Sequence, residues 1–346
     1  ARRAVEEARE EVARLVGARP EEIFFTSGGT ESNAMAIYGA AAGRPGRLVR
    51  SGAEHPSVRE PMARLAARGP IEQVVVDPEP SGSLDPERVG ESIAAGTTLV
   101  SVMLANNEYG GLFPVAAVAP RARAAGALLH TDAVQAAGRI PIDVGRLQAD
   151  LLSLSAHKMH GPKGVGALFV RRGVALEPHT PGGGQERRMR AGTENTPGIV
   201  GFGVAARVAR ERLDSDAAAV GRLRDRLERA ILERAPGARV IGREAPRLPN
   251  TSAIHFEGVS GEALLIRLDL EGVAVSIGSA CSSGTTEPSP ALLALGLSRR
   301  QARSVVRLSL SRFTTEAEVD EAAGRVAAAV RAMREAAPAP PEPVTV

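Results

Sequence analysis

Between residues 23 and 155 of this 346-residue chain, short apolar runs alternate with amphipathic stretches of helical length. The runs Ile23-Phe24-Phe25-Thr26, Val74-Val75-Val76, Leu99-Val100-Ser101-Val102-Met103-Leu104, Ala127-Leu128-Leu129-His130 and Leu151-Leu152-Ser153-Leu154-Ser155 read as buried strands. Helical patterns lie between them, around 30–42, 56–68, 85–94 and 114–125. Mostly apolar strands separated by helices imply an α/β fold with a largely parallel sheet covered on both faces. Ligands in such sheets bind beyond the carboxyl ends of the strands.

The chain opens inside a helix, with Val5, Ala8, Val12, Leu15 and Val16 at helical spacing and Gly17 as its stop. No initiator Met and no earlier strand precede it, so the front of the protein is expected to be missing. A Gly- and Arg-rich loop follows at 181–198, then a helical stretch of about 199–235. Beyond it, strands are expected near 250–256, 272–276 and 305–310, with a last helix near 315–335. The expected organisation is a large domain over 1–215, a smaller α+β domain over 216–335, and a Pro-rich mobile tail over 336–346.

Hydrophobic content of 43% with 24% charged residues suits a globular protein. A net charge of +3, no Trp and only 2 Tyr offer little to nucleic acid. No apolar run is long enough to span a bilayer, and the first residues lack the apolar core of a secretory signal. A cytoplasmic location is the expectation. The single cysteine, Cys281, cannot form an internal disulfide.

Of 43 basic residues only Lys158 and Lys163 are lysines; the rest are arginines. Arginine supplies charge and a long stem but not an amine that deprotonates near neutral pH and attacks a carbonyl. A lysine kept in such a chain is a candidate Schiff-base residue, unless two lysines simply survive in a basic loop.

Several strand ends carry polar groups. Ser27-Gly28-Gly29-Thr30 precedes a helix, where backbone N–H groups and the dipole favour phosphate, although such turns also serve as plain caps. Asp132 ends a buried strand and needs a cationic partner such as a pyridinium N–H, or else caps the next turn. Asn106 and Asn107 suit a ligand or a tight turn. His55 and the Ser155-Ala156-His157-Lys158 stretch complete the set. An anion cradle, a carboxylate, amides and an amine match pyridoxal 5′-phosphate. The motifs of dinucleotide and P-loop sites are absent from the required context. No metal site is expected: His157 and His160 lack further compact ligands. Cys281 sits in Gly278-Ser279-Ala280-Cys281-Ser282-Ser283-Gly284, small and polar surroundings that suit a reactive thiol on a mobile loop.

These stretches, with Glu54-His55, Asn106-Asn107-Glu108, Asp132-Ala133-Val134-Gln135, Gly182-Gly183-Gly184-Gln185-Glu186-Arg187 and Arg190-Ala191-Gly192-Thr193, resemble the cysteine desulfurases. Those belong to the aminotransferase class V family of fold-type I pyridoxal-phosphate enzymes, and the Ser-Ala-Cys-Ser stretch is similar to the group with a long catalytic loop. The resemblance implies catalytic roles for Lys158, His55 and Cys281. Lys158 holds the cofactor, Asp132 pairs with its ring nitrogen, Gln135 bonds its ring hydroxyl and His55 stacks on it. Gly29, Thr30, Ser155 and His157 bind the phosphate, with Thr193 contributed across a homodimer. Asn107, in the cofactor pocket, and Arg307 hold the substrate carboxylate. The implied reaction takes sulfur from L-cysteine onto Cys281 and passes it to an acceptor or scaffold protein for iron–sulfur assembly or tRNA thiolation. The alternatives are another class V enzyme, a selenocysteine lyase or aminotransferase, or an inactive scaffold descendant. The chain departs from the family at Ala156, where many members have Gly, at Gln185, where many have His, and in lacking the family's N-terminal strand.

Overall fold

The structure is a computed structural model and describes residues 1–278 and 287–336. Its larger sheet contains β1 (Ile23–Thr26), β2 (Gly46–Ser51), β3 (Ile71–Val76), β4 (Thr97–Ser101), β5 (Leu128–Asp132), β6 (Leu151–Ser155) and β7 (Gly166–Val170). Their spatial order is β1-β7-β6-β5-β4-β2-β3. The neighbours from β3 through β6 pair in parallel, whereas β7 runs antiparallel to both β6 and β1.

Side chains alternate between two cores. Val49, Val100, Leu129 and Leu152 enter one; Leu48, Leu99, Leu151 and Leu168 enter the other. With apolar residues on both faces, the sheet is stable only between helical layers. Helices α1 (Arg2–Val16), α2 (Gly29–Ala41), α3 (Pro56–Arg68), α4 (Pro86–Ser92), α5 (Val115–Ala124) and the short α6 (Val144–Leu147) supply most of that cover. Met35, Ile37, Val58 and Met62 bury α2 and α3 on one face, while α1 and α5 bury Val12, Val16, Val118 and Ala119 on the other. Gly17 closes α1 in the left-handed conformation (φ 68°) as the sequence indicates.

The long helix α7 (Thr196–Arg234) carries Ile199 and Phe202 in the first core and Leu227 and Ile231 in another. That other core lies against the antiparallel sheet β10-β11-β9-β8, built from β8 (Ala238–Val240), β9 (Thr251–Phe256), β10 (Ser276–Ile277) and β11 (Val305–Ser309). Helices α8 (Gly261–Leu270) and α11 (Glu316–Glu335) pack there, with α9 (Pro290–Ala294) and α10 (Arg299–Ala302) between β10 and β11 in sequence. Position 215, the expected domain boundary, falls inside the unbroken α7.

Three strands escape the sequence pattern, among them the three-residue β8. β2 carries Arg47 and Arg50 among its apolar residues, and β7 follows a Gly- and Pro-rich turn. The strand expected over 99–104 ends at Ser101, and that over 272–276 contracts to Ser276–Ile277. The loop expected to reach 198 ends earlier, because Asn195 caps α7 by accepting from Gly198 N–H.

Candidate active site

The polar motifs meet where the strands end. At the end of β1, Gly28 caps α2 and Gly29 begins it. A Cβ on Gly29 would lie 2.7 Å from Val134 Cγ2 and 3.6 Å from Ser155 Cβ, so the first turn of α2 presses against the ends of β5 and β6. A side chain there would push Val134 aside, so glycine lets α2 start this close. The first N–H groups of a helix have no acceptor within it, which makes this corner an anion cradle. Ser155 Oγ lies 2.9 Å from His157 Nδ1 on its rim. Partial desolvation, then Lys158 and Lys163, depress the His157 pKa, keeping it a neutral hydrogen-bonding group.

Asp132 ends β5 and is buried. Val134 N–H donates to Oδ1 at 2.9 Å and Asn33 Nδ2 donates to Oδ2 at 2.7 Å. Asn33 also donates to Ser57 Oγ at 2.8 Å, and Ser57 Oγ is 2.7 Å from His55 Nδ1. Ser57 N–H donates to the same Nδ1 at 3.1 Å. Nδ1 therefore accepts, and a neutral His55 carries its proton on Nε2. Burial, then Lys158 and Arg59, lowers the His55 pKa, while Asp132 opposes them. Asp132, Asn33, Ser57 and His55 thus form one hydrogen-bonded chain within electrostatic reach of Lys158.

Lys158 lies in the helical turn Ala156–Met159 after β6. Arg139 braces it, donating from Nη2 to the Lys158 carbonyl at 2.9 Å and from Nη1 to the Gln135 carbonyl at 2.7 Å. One side chain thereby ties the turn after β5 to the turn after β6.

After β4, the two adjacent amides divide their work. Buried Asn106 makes the turn: its Oδ1 accepts from Glu108 N–H (2.8 Å) and Tyr109 N–H (3.0 Å), and its Nδ2 donates to the Ala53 carbonyl (3.1 Å). The Asn107 carbonyl accepts from Arg307 Nη1 at 2.8 Å, so β11 of the smaller sheet sends its arginine to the rim of the larger one.

Sequence reasoning gave no role to Asn33, Ser57, Glu54 or Arg139. Glu54 is fully enclosed below His55; its Oε1 accepts from Ser51 Oγ and Met103 N–H, both at 2.7 Å. Burial pushes its pKa up to about 8, so it is a neutral acid at pH 7. The adjacency of Glu54 to His55 is the one signal that pointed to it. Thr193 is exposed, on the loop that Arg190 ties to Glu31 in the first turn of α2 by an ion pair of 2.8 Å. That loop is anchored by Glu186, whose carboxylate accepts from Arg9 (2.8 and 2.9 Å) and from Phe25 N–H (2.8 Å). Cys281 lies outside the described residues, between Gly278 and Glu287.

A mostly parallel sheet with a lysine, a buried aspartate and a helix N-terminus at its carboxyl edge defines the architecture of a fold-type I pyridoxal-phosphate transferase. The description "Aminotransferase class-V" fits residues 1–322. A cysteine desulfurase of Sinorhizobium fredii is 46% identical over 340 residues, which cover 97% of this chain and 87% of that protein. A solved NifS-like protein superimposes with a TM-score of 0.88 at 36% identity, covering 95% of this chain and 88% of that one. The structure titled "SspA in complex with cysteine" has a TM-score of 0.79 at 34% identity over 90% of this chain and 88% of its own. The chain belongs to the aminotransferase class V family, and within it to the cysteine desulfurases.

Proposed function

We propose that this chain removes sulfur from L-cysteine with bound pyridoxal 5′-phosphate, releasing L-alanine and leaving a persulfide on Cys281. The balance is closed: the substrate's sulfur joins the Cys281 sulfur, and the carbon it leaves takes a proton. What carries the reading is the convergence of the Gly29 corner, Asp132 and Lys158 at strand ends on one edge of the sheet, in a cysteine desulfurase relative.

The residues fit the cofactor. The close packing at Gly29 leaves the N–H groups of Gly29 and Thr30 beside Ser155 and His157, a donor set for a phosphate. Asp132, held by two donors, would face a ring N–H, and Gln135 would bond the ring hydroxyl. When bound, the cofactor supplies an electron sink for negative charge at the substrate Cα. Lys158, whose turn Arg139 fixes at the Lys158 carbonyl, would hold the cofactor through its amine and then move the Cα proton. His55, fixed by Ser57, would lie over a bound ring with its proton on Nε2. Arg307 and Asn107 take the substrate carboxylate, and Cys281 receives the sulfur as a thiolate.

The exposed Thr193, on a loop tied to the first turn of α2, supports an isologous homodimer in which each chain completes its partner's phosphate site. The attacking thiol must rest free of disulfide, which a reducing compartment maintains and which supports action in the cytoplasm, with onward transfer to an acceptor for iron–sulfur assembly or tRNA thiolation. The test is alanine release from L-cysteine by the cofactor-loaded protein. Cys281→Ser is expected to keep the cofactor's absorbance and lose turnover. Unchanged turnover in that variant would remove Cys281 from the reaction, and a cycling Lys158→Arg protein would remove Lys158.

A further inference from the structure

Glu108 has no place in the reaction described above, yet it occupies a charged corner beside it. The residue follows Asn107 after β4, and its Oε2 is buried with no hydrogen-bond partner. A Cβ on Gly278 would lie 2.6 Å from that Oε2 and 3.0 Å from Ser289 Cβ, so the carboxyl packs against Gly278 with Ser289 close by. Arg307 faces it from β11. Its Nη1 is committed to the Asn107 carbonyl, while its Nε is buried without a partner. An unsatisfied acceptor and an unsatisfied donor thus share one corner. Leaving such atoms buried is costly unless a ligand or a proton satisfies them.

We propose that Glu108 is a positioning residue that couples capture of the substrate carboxylate at Arg307 to uptake of one proton from solvent. The proposal rests on the reading that Arg307 takes that carboxylate. The groups acting on Glu108 are Arg307 from β11, Arg59 from α3 and the Ser289 hydroxyl, with the Tyr109 phenol also coupled to it. Burial pushes the Glu108 pKa up to about 7, against the pull of Ser289, Arg307 and Arg59. A substrate carboxylate on Arg307 neutralises the nearer cation and adds a second anion. Both changes favour the protonated acid. A group poised at neutrality then binds a proton as substrate arrives, and affinity falls as pH rises above that point. The protonated Glu108 no longer competes for the guanidinium, which turns toward the substrate.

The experiment is calorimetric titration of the cofactor-loaded enzyme with L-alanine at pH 7.5, in two buffers of different ionisation heat. Alanine carries the carboxylate and amine of the substrate but no thiol. The wild type is expected to take up as much as about three-quarters of a proton more per alanine than Glu108→Gln, and Glu108→Asp to retain the uptake. Above neutrality, wild-type affinity falls more steeply with pH than that of Glu108→Gln, by up to about tenfold per pH unit. Equal proton uptake in wild type and Glu108→Gln, or loss of it in Glu108→Asp as well, would overturn the coupling. An Arg307→Gln protein that binds alanine as tightly as wild type would instead overturn the premise about Arg307. Failure of the wild type to release alanine from cysteine would refute the desulfurase reading itself.

Discussion

Replacing Glu54 by Gln should flatten the pH dependence of stability without emptying the space the acid fills. Glu54 is enclosed, and burial raises its pKa from 4.5 to about 8. In the unfolded chain the same group ionises near its ordinary value. Between those two values the native state holds a proton that the unfolded state has released. The stabilisation is therefore fully present below the unfolded pKa and is lost as pH rises through the folded one. At about 1.4 kcal/mol per pKa unit, the loss between pH 6 and pH 8 comes to roughly 2 kcal/mol. Gln has the shape of the protonated acid, and its Oε1 can still accept from Ser51 Oγ and Met103 N–H. Urea unfolding of both proteins at pH 6 and pH 8 reads the difference. Glu54→Gln is expected to lose about 2 kcal/mol less than wild type over this interval. Parallel losses in the two proteins would mean that Glu54 is ionised in the fold, and the argument from burial would fail.

Glu186→Gln removes the buried carboxylate paired with Arg9, whose side chain is 4% exposed, leaving it the half-exposed Glu6, and about 3 kcal/mol of stability should go with it; a clear fall in thermal midpoint checks this. Gly29→Ala drives a methyl into Val134 Cγ2, and overpacking of about 1–3 kcal/mol should weaken the cofactor's affinity roughly tenfold or more, read by absorbance titration. Thr193→Ala should loosen cofactor retention in a protein that sediments as a dimer at micromolar concentration. A stable monomer holding the cofactor fully would show that each site is built within one chain.

The fold was legible wherever one signal dominated. Apolar-rich runs gave β1 and β6, and the 3.6-residue period with Gly17 gave α1. β2 was hidden because Arg47 and Arg50 interrupt it, and Arg50 is buried with Nη1 donating to the Ser51 carbonyl. A charged residue reads as exposed until its partner is seen. In the candidate site, residues with distinctive chemistry stood out: Lys158 as one of two lysines, Asp132 at a strand end. Asn33 and Ser57 did not, because ordinary polar residues become significant only when folding brings position 33 beside 132 and 57. Arg139 was likewise lost among many arginines, and only its two carbonyl contacts distinguish it.

The first hydrophobic core gathers Val5, Phe25 and Leu152 together with Leu248, Ala253, Leu292 and Val305. Its members therefore leave the ribosome at widely separated times, and the core stays open until about nine-tenths of this sequence has been made. Contacts this distant close slowly, and their unpaired surfaces are exposed meanwhile. Until those late residues arrive, the part of this core that they cover stays exposed, which makes the nascent chain a natural client for chaperones that bind bare apolar surface. Slowing translation ahead of Val305 should cost more soluble protein than slowing it afterwards.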